Sequence, residues 1–305
     1  MFLTVFTPTY NRAHTLGRCF ESLQRQTDKS FEWIVVDDGS TDDTAQCVQK
    51  YMETANFQIT YYHQKNSGKH VAHNLGVEKA RGDLFVCLDS DDALVDSTVD
   101  EIRVLWEKNI RTESYIGILA KRGDFVKRES ICGSWPNNVK SSTMYDLPRK
   151  YGFYGDTVLF FKTSILKRFC FQQFTDEKFM PESSLYYQLD RIGEMYLVDK
   201  VLYLCEYLPD GLSVRYHQLL RNNPKGAAIT YYNEVFLAKG AVEKIKAVVL
   251  TDIYASLSEK NNRVKFKKNK LLLSLFYIPS VLVKFFFFQK LDRASLRFNN
   301  EMRLS

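Results

Sequence analysis

The chain has 305 residues, 45% hydrophobic and 26% charged, enough apolar material for one large domain or a domain with an appendage, and too much for a disordered polymer. Its six cysteines (Cys19, Cys47, Cys87, Cys132, Cys170, Cys205) are widely spaced with no CxxC pair, which excludes a disulfide frame or structural zinc pattern and favours buried thiols in a reducing compartment. The net charge of +6 is uneven: residues 260–305 hold 11 Lys/Arg against 2 Asp/Glu, leaving residues 1–259 at about −3, so the body lacks the basic, aromatic-studded surface that nucleic acid requires.

The first residues lack a basic leader, and residues 3–7 run directly into Thr7-Pro8-Thr9-Tyr10-Asn11-Arg12. They read as a first strand rather than a signal peptide. Leu16, Cys19, Phe20 and Leu23 form a helical stripe, and Phe31–Val36 is a strand. Gly39-Ser40-Thr41-Asp42 turns the chain and caps a helix through about Tyr51. Ile59–Tyr62 alternates like a strand. Gly68 opens a helix marked by Val71, Ala72, Leu75 and Lys79 and ended by Gly82. Leu84–Leu88 is the next strand, and Val95, Val99, Ile102 and Trp106 mark a helix. This alternation predicts an open, mostly parallel sheet with helices on both faces, an α/β fold.

After about residue 110 the alternation fades. Ile116–Ala120, Val158–Phe161, Met195–Val198 and Val201–Tyr207 read as strands, 121–150 as irregular loop and 218–255 as helix. Six basic residues at 260–270 then precede the apolar run Leu271–Phe288, which Pro279 interrupts. As a helix that run extends roughly 27 Å, slightly short of a hydrocarbon core of about 30 Å. Ser274, Tyr277, Ser280 and Lys284 share an arc of about 120°. A narrow polar stripe, an aromatic face and a basic flank favour a helix lying in an anionic membrane surface over residues 260–290. A core helix docked on the body and a true span are the alternatives.

The chemistry-bearing feature is Asp89-Ser90-Asp91-Asp92, directly after the strand Leu84–Leu88. Three carboxylates at one strand end repel one another and suit a hard divalent cation, Mn²⁺ or Mg²⁺; an acidic helix cap is the other reading. A second pair, Asp37-Asp38, ends another strand. Two acidic strand ends point to one site at the carboxyl edge of the sheet, where open α/β folds place ligands. Ser67-Gly68-Lys69 does not form a P-loop, because His63 stands where its first glycine belongs, and no GxGxxG is present.

Thr7-Pro8-Thr9-Tyr10-Asn11-Arg12, Ile34 to Asp42, Asn66-Ser67-Gly68-Lys69-His70-Val71-Ala72-His73-Asn74-Leu75-Gly76, Gly82-Asp83 and Asp89-Ser90-Asp91-Asp92, in this order, resemble the family 2 glycosyltransferases of GT-A fold. The likeness is strong over 1–110. It is weaker over 150–215, where Gly155-Asp156, Glu177 to Glu182 and Glu206 to Leu212 resemble one bacterial branch, and slight past about 235. It implies a GT-A domain over 1–215, with a nucleotide-sugar half (1–110) and an acceptor half (111–215), and a helical C-terminal extension over 216–305.

The resemblance also implies roles. Pro8, Tyr10 and Arg12 lie on the loop that flanks the nucleotide. Asp38 matches the acceptor for uracil N3–H or its equivalent, which favours a UDP-sugar, and Asp37 is a buried structural partner. Lys69 faces the phosphates. Asp89 and Ser90 lie at the ribose, with Asp89 also serving the metal. Asp91 is the direct metal ligand, and Asp92 supports the metal or the loop. The inverting reaction needs a general base; relatives carry a Glu-Asp pair where this chain has Glu182-Ser183, so Glu182 is the candidate, with Asp176, Glu177 and Asp156 as competitors. The absence of a Gln-x-x-Arg-Trp motif argues against a processive synthase. The implied function is transfer of one sugar, in the cytoplasm at the inner membrane face, to a glycan or polyprenyl-linked glycan of a surface polysaccharide. A degenerate assembly subunit and another metal-dependent nucleotide enzyme, such as a nucleotidyltransferase or an Asp-motif phosphatase, are the alternatives. A phosphatase would need that motif on the first strand, which here ends in Thr-Pro-Thr-Tyr.

Overall fold

The computed structural model describes residues 1–111, 114–206 and 215–258. The basic and aromatic segment 260–290, and residues 207–212 of the motif beginning at Glu206, lie outside the described residues. The chain divides into two units, Met1–Phe171 with Ile192–Glu206, and Gln172–Arg191 with Tyr207–Ser305.

In chain order the first unit holds β1 (Leu3–Thr9), α1 (Leu16–Gln24), β2 (Phe31–Asp37), α2 (Thr44–Thr54), β3 (Gln58–His63), α3 (Lys69–Lys79), β4 (Leu84–Cys87), β5 (Ala93–Leu94), α4 (Thr98–Leu105), β6 (Gly117–Asp124), β7 (Ser141–Ser142), α5 (Asp146–Tyr151), β8 (Thr157–Lys162) and α6 (Thr163–Leu166). α7 (Ser183–Leu189) belongs to the second unit, β9 (Met195–Cys205) to the first, and α8 (Tyr216–Asn222), α9 (Pro224–Val235) and α10 (Ala241–Leu257) to the second. Trp106–Ile110 continues α4 as a π-helical turn.

Among the described residues the strands form one nine-stranded sheet, ordered β3-β2-β1-β4-β8-β6-β9-β5, with β7 paired to β9. β3, β2, β1 and β4 are mutually parallel, as the alternating pattern predicts. Beyond β4 the sheet is mixed: β8 is antiparallel to β4 and β6, while β6 and β9 are parallel. The two strand segments expected around Met195–Tyr207 are one strand, β9, interrupted by a register shift opposite Ala120–Arg122. The stretch expected to be irregular contains the end of β6, the two-residue β7 and the short α5.

Alternation along the parallel strands builds the two faces. Leu3, Val5, Phe31, Trp33, Val35, Leu84 and Val86 point to one side and meet Leu16, Cys19 and Leu23 of α1, Val48 of α2, and Val99 and Ile102 of α4. On the other face α3 lays His73 edge-on against Phe6 and Phe85, with ring centroids 5.6 and 5.3 Å apart. Buried Glu32 on β2 accepts from the Thr4 hydroxyl and from Arg81, which fastens the start of β1 to the turn before β4.

In the second unit Leu220, Ala227, Ala228, Leu250, Ile253 and Tyr254 share an apolar core, and Asn233 of α9 donates to the Ser184 carbonyl of α7 at 2.7 Å. α7 therefore packs with helices that follow residue 215. No helix among the described residues is long and apolar enough to cross a membrane.

α3 approaches the sheet closely at Gly76, where a Cβ would lie 2.3 Å from Phe6 Cδ2. Gly76→Ala should lower unfolding free energy by about 1–3 kcal/mol, the usual cost of overpacking. Urea denaturation checks this; an unchanged midpoint would mean that α3 shifts freely on the sheet.

Candidate functional site

β4 delivers the chain to the carboxyl edge of the sheet, and Asp89–Asp92 closes there as a turn, the Asp92 N–H donating to the Asp89 carbonyl at 3.1 Å. Four side chains from three distant segments grip this turn. Cys19 of α1 directs its thiol at the carbonyls of Asp89 and Asp92, 3.0 and 3.1 Å away. Arg18 donates to the Asp91 carbonyl at 2.9 Å, ion-pairs with Glu206 and stacks over Phe125. Tyr203 of β9 accepts from the Asp89 backbone N–H at 3.0 Å and donates to Asp92 Oδ2 at 2.7 Å. Arg122 of β6 lies over the Tyr203 ring, 4.3 Å from its centroid, with its guanidinium 3.9 Å from Asp92 Oδ2.

The carboxylates differ in their surroundings. Asp89 Oδ1 is ion-paired with Lys69 Nζ at 2.7 Å, both side chains about a third exposed. Burial raises the pKa of Asp91, and the adjacent Asp89 charge adds to the rise, against opposing pulls from Arg12 and Lys69. Asp92 is pushed up to about 7, first by burial and then by Asp89, although Tyr203 and Arg122 act the other way. Asp91 thus ionises at a cost that a nearby cation would remove. No group of three or more His, Cys, Asp or Glu among the described residues is arranged to hold a metal ion. Two carboxylates, Asp91 and Asp89, nevertheless fit the habit of Mg²⁺ and Mn²⁺, which take one or two carboxylates and complete their shell with substrate phosphates and water.

The second acidic strand end lies on the parallel neighbour of β1. Asp37 is buried and accepts from the Tyr61 hydroxyl and the Ser40 N–H, both at 2.7 Å. Asp38 is 5% exposed, and its carboxylate accepts from Gln64 Nε2 (2.7 Å), Ser67 N–H (2.8 Å) and Gly68 N–H (2.7 Å). It therefore ties down the loop that starts α3 and carries Lys69. A carboxylate has about four acceptor positions, so one remains. Thr9 Oγ1 at the end of β1 and His70 Nδ1 at the start of α3 are buried without a hydrogen-bond partner. Burial lowers the His70 pKa, and the Asp38 charge partly offsets that.

Pro8 is buried at the end of β1, and Tyr10, on the exit loop, is 48% exposed. Asn11 in that loop takes a left-handed φ of 53° and exchanges hydrogen bonds with Ser40 and Thr41, joining the exits of β1 and β2. Arg12 is half-buried and Ser90 is buried within the acidic turn.

The structure thus brings Asp89, Ser90, Asp91 and Lys69 together, with Arg12 acting on Asp91, and puts Asp38 at the base of the same helix start. Glu182 belongs to the second unit, exposed just before α7, where it accepts from the Tyr186 hydroxyl at 3.2 Å. In that unit Glu177 accepts the Lys225 and Gly226 N–H groups at the start of α9, and Asp176 pairs with the buried ammonium of Lys225. Asp156 is exposed just before β8.

Sequence reasoning missed Arg18, Cys19, Arg122 and Tyr203. Cys19 was legible only as part of a core stripe, and Arg122 fell where an irregular loop was expected. For Tyr203 the one signal is general: a buried tyrosine hydroxyl needs a partner.

A family model described as Glycosyl transferase family 2 matches residues 4–171. Over 199 residues the chain is 28% identical to the GalNAc(5)-diNAcBac-PP-undecaprenol beta-1,3-glucosyltransferase of Campylobacter jejuni, covering 64% of this chain and 62% of that one. The chain spans about a fifth of the length of the first curated relatives it matches. Among solved structures, S. aureus TarS 1-349 in complex with UDP-GlcNAc aligns with a TM-score of 0.62 at 19% identity, over 84% of this chain and 72% of that one. The mannosyltransferase PcManGT of Pyrobaculum calidifontis, in complex with GDP-Man and Mn²⁺, aligns with a TM-score of 0.54 at 16% identity, over 92% and 79%. At such identities these likenesses speak for the fold, and the GT-A α/β fold expected from the motifs is the one observed.

Removing the Asp38 carboxylate strands two backbone N–H groups. Asp38→Ala should cost about 1–3 kcal/mol of stability, read from the urea midpoint. No change would mean that the α3 loop is held by other contacts.

Proposed function

Because the chain belongs to glycosyl transferase family 2, we propose that it transfers a single sugar from a nucleoside-diphosphate donor to a hydroxyl of a glycan or polyprenyl-linked glycan, with inversion. The observation that carries this reading is the gripped acidic turn beside Lys69, at the carboxyl edge of the parallel strands. In this reading the transferase domain is 1–215 and the extension 216–305.

The donor lies with its base near Pro8, Tyr10 and Asp38. The last acceptor position of Asp38, with the unpartnered His70 nitrogen, supports recognition of a polar base edge, and uracil is preferred. Arg12 and Lys69 offer positive charge to the diphosphate, Lys69 exchanging part of its attachment to Asp89, and Asp89 and Ser90 face the ribose. Asp91 with Asp89 would hold Mn²⁺ or Mg²⁺, which when bound neutralises charge on the leaving diphosphate. At the acceptor, Glu182 takes the hydroxyl proton as the oxygen bonds to the anomeric carbon and the bond to the diphosphate oxygen breaks. Glu182 is preferred to Asp176 and Glu177 because it stands at the place of the Glu-Asp pair of the relatives.

Two substitutions separate these roles. Asp91→Asn keeps the shape of the side chain and should abolish transfer while leaving the thermal midpoint nearly unchanged. Glu182→Gln should slow transfer by roughly 10²-fold or more, the scale of general-base catalysis, with donor binding intact. Retained activity in Asp91→Asn at low Mn²⁺ would contradict the metal assignment. Normal turnover in Glu182→Gln would move the base elsewhere, with Asp156 first in line.

The lipid-linked acceptor in the name of the Campylobacter relative and the basic, aromatic composition of residues 260–290 support work at the inner face of the cell membrane, on a surface polysaccharide. The full chain should float with anionic liposomes at low salt and be released by high salt, while a chain ending at Glu259 should not float. Equal flotation of both would remove the membrane role from this segment.

A further inference from the structure

We propose that Tyr203 is a positioning residue of the donor site, its hydroxyl tying the backbone of Asp89 to the carboxylate of Asp92 and so holding the two ends of the Asp89–Asp92 turn. The inference rests on the donor-site reading above and adds a residue that the acidic motif does not contain.

The hydroxyl uses both of its capacities on the turn. It accepts from the Asp89 backbone N–H at 3.0 Å and donates to Asp92 Oδ2 at 2.7 Å. The ring is fully buried, so neither bond can be replaced by bulk water. The sheet puts it there by register. β9 runs antiparallel to β5, with Tyr203 opposite Leu94, two residues past the turn. On its other side β9 is parallel to β6, and Tyr203 is level with Arg122. That level depends on an irregularity. Ala120 pairs with Val198, but Arg122 pairs with Tyr203. A regular ladder would set Arg122 beside Lys200, which is exposed. The bulge advances β9 by an odd number of residues, which changes the face presented. A tyrosine thereby reaches the turn, with a guanidinium stacked on its ring. A residue needed only for packing would not require two directed bonds to the ends of one functional turn.

The test uses the full chain. Calorimetry measures UDP binding with and without Mn²⁺ for wild type and Tyr203→Phe, and steady-state kinetics give KM for donor and acceptor. Tyr203→Phe should weaken UDP binding in the presence of Mn²⁺ by about tenfold or more, the scale of bonds to charged groups, and raise donor KM with acceptor KM unchanged. A lowered thermal midpoint with unchanged UDP affinity well below it would overturn the proposal, because the tyrosine would then only hold the fold. If Tyr203→Phe does not fold, Asp92→Asn, which keeps the acceptor oxygen, should bind UDP with Mn²⁺ within about threefold of wild type, while Asp92→Ala loses about tenfold; equal affinities of these two would overturn it. Wild type that binds no UDP would instead remove the donor-site reading itself, and this inference with it.

Discussion

Crowding of negative charge on one turn is the constraint around which the first unit is arranged. Asp89, Asp91 and Asp92 follow a buried strand, and burial and the Asp89 charge both oppose ionisation of Asp91 and Asp92. The fold answers with separate devices. Lys69 neutralises Asp89, and Tyr203 and Arg122 act on Asp92. Arg18 and Cys19 hold the turn through its carbonyls, so its backbone stays in place whatever the carboxylates do. Asp91 is left as the carboxylate whose burial a bound cation would compensate.

These devices come from different parts of the topology. The parallel strands β2, β1 and β4 bring Asp37-Asp38, the Tyr10–Arg12 loop and the acidic turn to one edge. Asp38 carries the effect sideways: by gathering Gln64, Ser67 and Gly68 it sets the start of α3, and so the place from which Lys69 reaches Asp89. The mixed half of the sheet contributes the clamp, because β5, β9 and β6 in sequence of pairing place Tyr203 and Arg122 behind the turn. The proposed transfer requires a site that holds a diphosphate whose charge grows as the bond breaks. Positive groups and carboxylates already held at one edge suit that task.

The parallel half was legible because β2 and β4 are apolar runs ended by acidic turns, β3 alternates, and the helices between them carry stripes or glycine-marked starts. The mixed half was not. β5 and β7 are two residues each, too short to show a period, and the bulge in β9 breaks alternation at Asp199-Lys200, so one strand read as two. Of the site, the carboxylates and Lys69 could be found from their motifs, since their chemistry is local in sequence. Tyr203, 114 residues from Asp89, could not, because its partner is defined only by strand register. Asp38 shows a different limit: its residue type and place agree with the motif, yet most of its hydrogen-bonding capacity serves the loop behind it.

The central claim is that this carboxyl edge is a cation-assisted nucleoside-diphosphate site. A thermal-shift titration of the full chain with UDP, with and without Mn²⁺, tests it most directly, because a ligand that binds only the folded state raises the midpoint with its concentration. The account predicts a saturable rise with UDP that is much larger when Mn²⁺ is present. No shift with UDP and Mn²⁺ together, or the same shift with and without the cation, would contradict it.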